Sequence, residues 1–574
     1  MKLKTLLSAV LLATSSSLSF AQTAADWKNM NVDAHAWTKN VKMGWNLGNS
    51  FESQAGTWDD ANSNFKEIKI EDRNEWETGW GNPKTTKAML AAVKDAGFDA
   101  VRIPVLWGAH ITDNSTNKID DKWMNRVQEV VDWCMELDLK VIINTHHEYW
   151  LEYHPEYSRQ TATNNKLKAI WTQIANHFKN YDARLAFAGV NEVQMDWKTP
   201  TAENTAVMNS YNQTFVNAVR ATGGNNSKRN LIVQTYSCNP DYGLTGFTTP
   251  TDAASNRLSV EFHYYNPYSY CGDGIYYYWG TQYEKWGTVA PEKEDRLISL
   301  FKQCKEKWYD KGLGVIIGEY GVSCHYEDNA KSTQLENERY YNKVVNEEAR
   351  KNGFAAFIWD NNTFGNGKEK FGIFDRNHNM RVLVPELLNG AQEGAGVEVK
   401  DYTKTPAFTF WEGNSKLNYG DGLQLQIPAT EFENFSTNSN LYITLTLETA
   451  ATYSQLQLFY TDWSTKIPLK LNGSSNNGEI DLKKVLSADK KEIRISFDDA
   501  TIKVLKQKGL VLQGYGASLN KIIIDAAGTS TAISSTFRSK SSTNATTYDI
   551  SGKKIGNTKS KTIYIRNGKK FFRM

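Results

Sequence analysis

The sequence has little net charge, few cysteines and no long apolar run beyond its first residues. Its 66 lysines and arginines nearly balance 64 aspartates and glutamates, which leaves a net charge of +2. Charge therefore implies neither a nucleic acid nor a membrane surface as a partner. No segment after the N-terminal one is apolar over enough residues to predict a membrane-spanning helix. Internal repeats are not visible either.

Cysteine is scarce, and its five positions form no metal-binding pattern. Five is an odd number, so at least one thiol is unpaired even in an oxidising compartment. Cys134 and Cys304 lie within helical patterns and are expected in the core. Cys271 and Cys324 follow predicted strands and are the pair expected to form a disulfide. No spacing resembles a zinc site, and neither a metal nor a cofactor is predicted.

The first 21 residues have the layout of a secretory signal peptide. Lys2 and Lys4 precede an apolar run from Leu6 to Leu12, and a stretch of small residues ends at Ala21. The run is too short to span a bilayer. We therefore expect a secreted or cell-surface protein whose mature chain starts near Gln22.

Residues 22–394 predict a domain in which strands alternate with helices. The alternation favours a parallel sheet, and 574 residues are too many for one ordinary domain. Eight strands close a TIM (β/α)8 barrel, and a doubly wound open sheet is the alternative. The predicted strands are 41–48, 100–105, 140–148, 185–192, 231–235, 258–264, 314–321 and 354–360.

The pattern changes after the barrel. Residues 395–407 are polar and are interpreted as a linker. Residues 408–528 contain short alternating strands separated by turns, which is typical of an antiparallel β-sandwich. Residues 529–547 are rich in serine and threonine and predict a flexible linker. Residues 548–574 predict a small β unit.

Two glutamates stand out at the carboxyl ends of barrel strands, on the face where active sites of this fold lie. Glu319 ends the seventh strand, and burying its carboxylate without a partner costs several kcal/mol, so a buried Glu319 is either paired or catalytic. The alternative is a glutamate at the surface end of a strand. Glu192 ends the fourth strand, across the barrel mouth from the seventh. The two carboxylates can therefore approach to about 5 Å, the separation that retaining glycosidases use.

The two glutamates belong to an ordered set of motifs. The set resembles glycoside hydrolase family 5, the cellulase-type family, and most of all its endoglucanases, xyloglucanases and mixed-linkage glucanases. The resemblance implies that Glu192 is the general acid/base and Glu319 the nucleophile. Val193 departs from the family, which usually places proline there. The motifs are Gly44-Trp45-Asn46-Leu47-Gly48-Asn49, Glu77-Thr78-Gly79-Trp80-Gly81-Asn82-Pro83, Val101-Arg102-Ile103-Pro104-Val105, Asn144-Thr145-His146-His147-Glu148, Asn191-Glu192, His263-Tyr264-Tyr265, Gly318-Glu319-Tyr320-Gly321 and Trp359-Asp360.

Other polar residues near the strand ends are expected to support these two. Arg102 would hold Glu319 ionised, because a nearby cation lowers a carboxylate pKa, or would form a structural ion pair. Tyr265 would donate to Glu319. Trp359 would stack beneath the sugar or belong to the core. The remaining supporting residues are Asn46, Asn191, His146, His147 and His263.

Several residues on the same face have no assigned role in the chemistry. His146 and His147, as neighbours on a strand, are expected to point to opposite faces, which argues against a metal site. Glu148, Glu261 and Asp360 are interpreted as structural. The aromatic residues expected either to line a polymer cleft or to pack in the core are Trp45, Trp80, Trp107, Trp150, Trp197, Tyr268 and Trp279.

We expect a monomeric endo-β-1,4-glucanase that acts on a β-linked plant polysaccharide by a retaining mechanism. A β-mannanase or xylanase on the same barrel, and a non-catalytic carbohydrate-binding surface protein, are the alternatives. The sandwich resembles the accessory modules of polysaccharide-degrading enzymes, with Trp411, Tyr460, Trp463 and Tyr515 as sugar platforms, or is a spacer. Residues 548–574 resemble the sorting tails of some Gram-negative bacteria.

Overall fold

The computed structural model describes residues 22–54, 56–59, 64–67, 73–378, 380–400, 402, 407–432, 435–487, 489–526 and four short strands between 547 and 573. The expected signal peptide and nearly all of the expected linker 529–547 lie outside the described residues. The chain divides into two compact units, residues 1–403 and 404–574. Within the described part, no helix combines the length and the apolar character that crossing a bilayer requires.

A closed barrel of eight parallel strands forms the centre of the first unit. Each strand pairs with its neighbours in chain order, and the first strand closes the barrel against the last. The predicted barrel is confirmed, and the open sheet is wrong. The strands are β1 Gly44–Asn46, β2 Ala100–Ile103, β3 Lys140–Asn144, β4 Leu185–Ala188, β5 Leu231–Gln234, β6 Leu258–Tyr264, β7 Gly314–Tyr320 and β8 Ala355–Ile358.

Three strands end before their motifs do. The predicted strands continue to Glu148, Glu192 and Asp360, whereas β3, β4 and β8 end two to four residues earlier, at residues 144, 188 and 358. His147 has a φ of 56°, in the left-handed region that a strand residue does not adopt. The polar ends of these three motifs therefore lie in loops at the barrel mouth.

Helices surround the barrel because each buries one apolar stripe. In α4, Trp123, Val127 and Val131 recur every four residues and are buried. The first turn of α7 is capped by Thr201, whose hydroxyl accepts the backbone N–H of Asn204. The helices are α1 Ala24–Lys28, α2 Ala34–Lys39, α3 Lys87–Asp95, α4 Asp121–Glu136, α5 Tyr149–Glu152, α6 Tyr157–His177, α7 Ala202–Ala221, α8 Pro240–Gly246, α9 Tyr268–Cys271, α10 Glu294–Lys307, α11 Lys331–Lys351 and α12 Pro385–Ala395.

None of the five cysteines, all within the described part of the chain, forms a disulfide. The expected Cys271–Cys324 pairing is therefore wrong. Cys271 ends α9, and its buried thiol is hydrogen-bonded to Tyr341 instead of facing another sulfur. Cys134 and Cys304 lie in α4 and α10 within the core, as predicted.

The second unit is an antiparallel β-sandwich, which confirms the predicted class. Its longest strand, β17, pairs with β9, β10, β11 and β12. Tyr460 is buried in the core of this unit, whereas Trp463 is exposed. The strands are β9 Phe408–Asn418, β10 Leu425–Ile427, β11 Asn440–Leu447, β12 Gln455–Tyr460, β13 Leu469–Leu471, β14 Ser474–Asn476, β15 Glu479–Asp481, β16 Glu492–Ser496 and β17 Leu510–Asp525, with helices α13 Leu482–Val485 and α14 Asp499–Lys508.

The last strands form a separate four-stranded antiparallel sheet. They are β18 Thr547–Asp549, β19 Lys554–Ile555, β20 Thr562–Arg566 and β21 Lys569–Arg573. In the sheet β18 lies between β19 and β20, and β21 is at the edge. Short strands are what the turn-rich sequence of this segment predicts.

The substitution Gly390→Ala tests the close approach of α11 and α12. A Cβ at Gly390 would lie 2.2 Å from the backbone oxygen of Arg339, so one helix must move. We expect the first unit to lose about 1–3 kcal/mol of unfolding free energy, measured by urea denaturation. Gly420→Ala, in the second unit, is the control: no atom lies within 4 Å of its added Cβ, so the midpoint of the first unit is expected to stay at its wild-type value. Equal denaturation midpoints for the two variants would contradict the packing argument.

Candidate active site

Glu192 and Glu319 meet at one end of the barrel. Glu319 lies near the end of β7, and Glu192 lies in the loop after β4. One carboxylate oxygen of each, together with Nδ1 of His263, lies within 4.8 Å of the other two atoms. Strands four and seven thus bring the two carboxyl groups together, as the order of the strands predicts.

His263 stands between the two carboxyl groups. Its Nδ1 lies 2.6 Å from Oε1 of Glu192 and 3.6 Å from Oε2 of Glu319. Burial lowers the pKa of His263, but Cys238, Glu319 and Glu192 together raise it well above its ordinary value. The carboxylates supply this effect, because burial raises the pKa of the Cys238 thiol to about 12 and leaves it uncharged. The two carboxyl groups therefore favour the protonated form of His263, in which Nδ1 donates to Glu192.

Glu319 receives a hydrogen bond on each oxygen. Arg102 Nη1 donates to Oε1 at 2.9 Å, and the Tyr265 hydroxyl donates to Oε2 at 3.1 Å. Burial raises the pKa of Glu319, His263 and Arg102 lower it, Glu192 raises it, and the net direction is upward. Arg102 lowers the pKa of Glu319, as predicted, although burial makes the net direction upward.

Two asparagines fix the guanidinium of Arg102. Asn46 Oδ1 accepts from Nη1 at 3.0 Å, and Asn191 Oδ1 accepts from Nη2 at 2.9 Å. Asn46 Nδ2 also donates to the backbone oxygen of Gly318 at 2.9 Å. Arg102 is fully buried and also contacts Glu319, so its ion pair is part of the site itself.

The turn after Glu192 is held without the proline that the family usually has. The N–H of Val193 donates to the oxygen of Asn191 at 3.2 Å, and the oxygen of Val193 accepts from Ser237 at 2.8 Å. The Cys238 thiol donates to the same Asn191 oxygen at 3.4 Å. Because Val193 is also fully buried, hydrogen bonds and packing replace the stiffness of a proline ring.

His146, His147 and Trp359 form an aromatic group at the mouth. The rings of His146 and Trp359 are parallel within 8°, with centroids 6.1 Å apart. His146 and His147 are in edge contact at 4.4 Å, so the expectation that they point to opposite faces is wrong. The reason is that β3 ends before them. Burial lowers the pKa of His147 to about 4 and that of His146 well below its ordinary value, so both rings are neutral.

The aromatic residues near the barrel mouth divide into three groups by exposure. Trp45, Trp107 and Trp279 are fully buried and belong to the core. Trp197 and Tyr268 are more than half exposed. The side chains of intermediate exposure are Trp80, Trp150 and Trp359.

Two of the three carboxylates interpreted as structural do bind backbone groups. Glu148 Oε1 accepts the N–H groups of Trp107 and Gly108 at 2.7 and 2.8 Å. Asp360 accepts from Trp45 Nε1 at 2.9 Å and from the N–H of Ile373 at 3.1 Å. These contacts hold loops together, as structural carboxylates do.

Glu261, the third of these carboxylates, contacts a charged side chain instead of backbone groups. It is fully buried, and its Oε1 lies 3.1 Å from Arg102 Nη2, so it shares the arginine with Glu319. Strand alternation places Glu261 on the same face as His263, two residues later, but it does not reveal the contact with Arg102. Cys238 and Glu152 also lie beside the site, and no sequence motif marks either of them.

Glu192, His263 and Glu319 have a geometry that can hold a metal ion. A metal ligand must offer a lone pair, whereas a protonated His263 has none on either nitrogen. The absence of a metal stays a prediction.

Residues 53–365, more than half of the chain, match the family described as Cellulase (glycosyl hydrolase family 5). The chain belongs to this family. The resemblance drawn from the motifs is confirmed, and the match spans both glutamates.

Known family 5 proteins are similar to this chain over 60–64% of its length. Endoglucanase A of Ruminococcus albus is 34% identical over 357 residues, which are 60% of this chain and 89% of that protein. Cellulase/esterase CelE of Acetivibrio thermocellus is 34% identical over 64% of this chain, which spans only 41% of that relative. A solved Bacteroides ovatus GH5 xyloglucanase with a bound XXXG heptasaccharide has a TM-score of 0.57 at 32% identity and covers 64% of this chain and 77% of its own.

The substitution Tyr265→Phe tests the hydrogen bond to Glu319. It removes one donor to a buried carboxylate and leaves the ring in place, so we expect kcat on a soluble β-glucan to fall about 10- to 100-fold. Reducing-end assays at fixed pH measure this. Tyr264→Phe is the matched control, because that ring packs against Phe301 instead. A Tyr265→Phe enzyme with unchanged kcat would show that the donor has no role.

Proposed function

We propose that the chain is a retaining endo-β-1,4-glucanase in which Glu319 is the nucleophile and Glu192 the general acid/base. The observation that carries the proposal is the approach of their carboxylate oxygens to within 4.8 Å. Retaining glycosidases hold the two groups about 5–5.5 Å apart, whereas inverting ones leave room for a water at about 6.5–9.5 Å.

In the first step Glu319 attacks the anomeric carbon while Glu192 gives its proton to the leaving oxygen. A covalent glycosyl–enzyme ester forms, and the glycosidic bond breaks. Arg102 and Tyr265 hold the two oxygens of Glu319 and so orient the attacking lone pair. After the transfer Glu192 is an anion, and the imidazolium of His263 stabilises it across 2.6 Å.

In the second step Glu192 takes a proton from water, and the resulting hydroxide attacks the same carbon. The ester bond breaks, and Glu319 leaves as a carboxylate. Two inversions at one carbon restore the original configuration. Trp359, half-buried and parallel to His146, offers a flat face on which a sugar ring can stack.

We propose β-1,4-linked glucans, xyloglucan and mixed-linkage glucan as the substrate class. Support comes from the relatives, whose names include endoglucanase and xyloglucan-specific endo-β-1,4-glucanase. A solved neighbour is titled a lichenase and was studied with cellotetraose.

We further propose that residues 22–394 are the catalytic domain and that residues 408–528 are an accessory domain. Residues 395–407 and 529–547 would be linkers. Residues 1–21 would direct export, and 548–574 would act as a sorting tail. Support comes from the residue patterns themselves, together with a division of the chain after residue 403.

The substitution Glu319→Gln tests the proposed chemistry. Release of reducing ends from carboxymethylcellulose, xyloglucan, lichenan, mannan and xylan is measured for this variant and for wild type. We expect the wild type to cleave the glucans and the variant to lose at least ~10³-fold in kcat, because an amide cannot form the ester intermediate. Glu336→Gln, a change on α11, is the control.

Preference for mannan or xylan would overturn the substrate class and leave the mechanism intact. Full activity in Glu319→Gln would overturn the mechanism. A wild type that hydrolyses none of the five glycans would favour the binding-protein alternative.

The anomeric form of the first product gives an independent test. We expect proton NMR, started within minutes of mixing with cello-oligosaccharides, to show the β-anomer before mutarotation equalises the forms. An initial α-anomer would mean inversion and would exclude Glu319 as a nucleophile.

A further inference from the structure

Glu261 contacts both Arg102 and His263. It lies in β6, two residues before His263, and its side chain is fully buried. Its Oε1 lies 3.1 Å from Arg102 Nη2 and 3.5 Å from His263 Nε2. Its Oε2 accepts from Gln234 Nε2 at 2.7 Å. Arg102 and His263 are therefore each placed between Glu261 and a carboxyl group to which we assign a role in hydrolysis.

We propose that Glu261 is a positioning residue for the hydrolysis: a buried counter-anion that fixes Arg102 and His263, and so sets the charge state of the two catalytic carboxyl groups. This inference rests on the proposed roles of Glu192 and Glu319. It assigns no contact with substrate to Glu261 itself.

The charges balance in the state that hydrolysis requires. Arg102 and a protonated His263 contribute two positive charges, and ionised Glu261 and Glu319 contribute two negative ones. The cluster is neutral when Glu192 carries its proton, which is the state from which the first step starts. Any net charge in so buried a place is unfavourable. Without Glu261 the same protonation state would carry one uncompensated positive charge.

The pKa directions of the other titratable groups near His263 and Glu192 favour their neutral forms, which leaves this balance unchanged. Burial raises the pKa of Cys238, which faces His263 from the turn after β5, to about 12. Burial lowers the pKa of His146, in the loop after β3, well below its ordinary value. Burial, with Glu148 and Glu192, raises the pKa of Glu152 well above its ordinary value. Glu261 itself stays ionised: burial raises its pKa, but Arg102 and His263 bring it below the ordinary value.

The motif around Glu319 makes room for Glu261. A Cβ added at Gly318 would lie 1.8 Å from Oε1 of Glu261, so a side chain at residue 318 would displace the carboxylate. The residue before the nucleophile is therefore glycine for a reason that comes from a neighbouring strand.

Two hydrogen bonds through Gln234 also connect Glu261 to the backbone next to Glu192, the proposed acid/base. Gln234 donates to Glu261, and its Oε1 accepts the N–H of Val190 at 3.1 Å. Val190 precedes Asn191 and Glu192 in the chain. Glu261 therefore reaches the backbone that carries Glu192, besides the guanidinium that binds Glu319.

The test is the pH profile of kcat/KM for wild type, Glu261→Gln and Glu261→Asp. Removing a negative charge favours the deprotonated form of every neighbouring group. For Glu261→Gln we therefore expect both limbs of the profile to move to lower pH by about one unit. Glu261→Asp keeps the charge, so its limbs are expected near their wild-type positions even if its rate is lower. Glu148→Gln, another buried carboxyl that contacts neither cation, is the control.

The outcomes separate this inference from the proposed function. A role limited to packing would lower kcat/KM evenly and leave both limbs in place, and that result would overturn the inference. Equal shifts in the Gln and Asp variants would also overturn it. If the wild type is inactive or Glu319→Gln remains active, the proposed function has failed instead.

If Glu261→Gln does not fold, a measurement on the wild-type protein tests the inferred charge balance. NMR of the imidazole nitrogens in the wild-type protein reports the protonation of His263 directly. A His263 that stays protonated at pH 7 supports the charge balance, and a neutral one overturns it.

Discussion

The barrel mouth depends on the buried ion pairs of Arg102. Its guanidinium is fully buried and contacts Glu319 on β7 and Glu261 on β6. It also binds Asn46 on β1 and Asn191 in the loop after β4. A buried arginine has lost its hydration, so every missing partner would leave charge uncompensated. Strand ends from around the barrel are therefore positioned by one rigid, planar group.

Burial alone does not decide the protonation of the histidines at this mouth. His146, His147 and His263 all lie in the same low-dielectric region, where the neutral ring is favoured. Carboxyl groups approach His263 closely enough to reverse that preference. For His146 and His147 burial prevails, and the pKa of each ring lies below its ordinary value. Burial therefore shifts the pKa of two of these histidines downward, whereas the pKa of His263 is raised.

The barrel could be predicted because apolar runs and helical stripes report burial directly. The approach of Glu192 to Glu319 could be predicted because the fourth and seventh strands face each other across the barrel. The ends of β3, β4 and β8 could not be predicted, because a strand ends where its pairing with a neighbouring strand stops. The contact of Glu261 with Arg102 joins β6 to β2, and alternation within β6 alone does not reveal it. The Cys271–Cys324 pairing was wrong because loop position says nothing of which way a thiol points.

The longest strand of the sandwich, β17, makes the folding of this unit cooperative. β17 supplies hydrogen bonds to β9, β10, β11 and β12. Those partners come from far earlier in the chain, so none of them can complete its pairing until residues 510–525 have been synthesised. During translation the second unit must therefore wait for its last long strand, and it then acquires its layers together instead of one hairpin at a time.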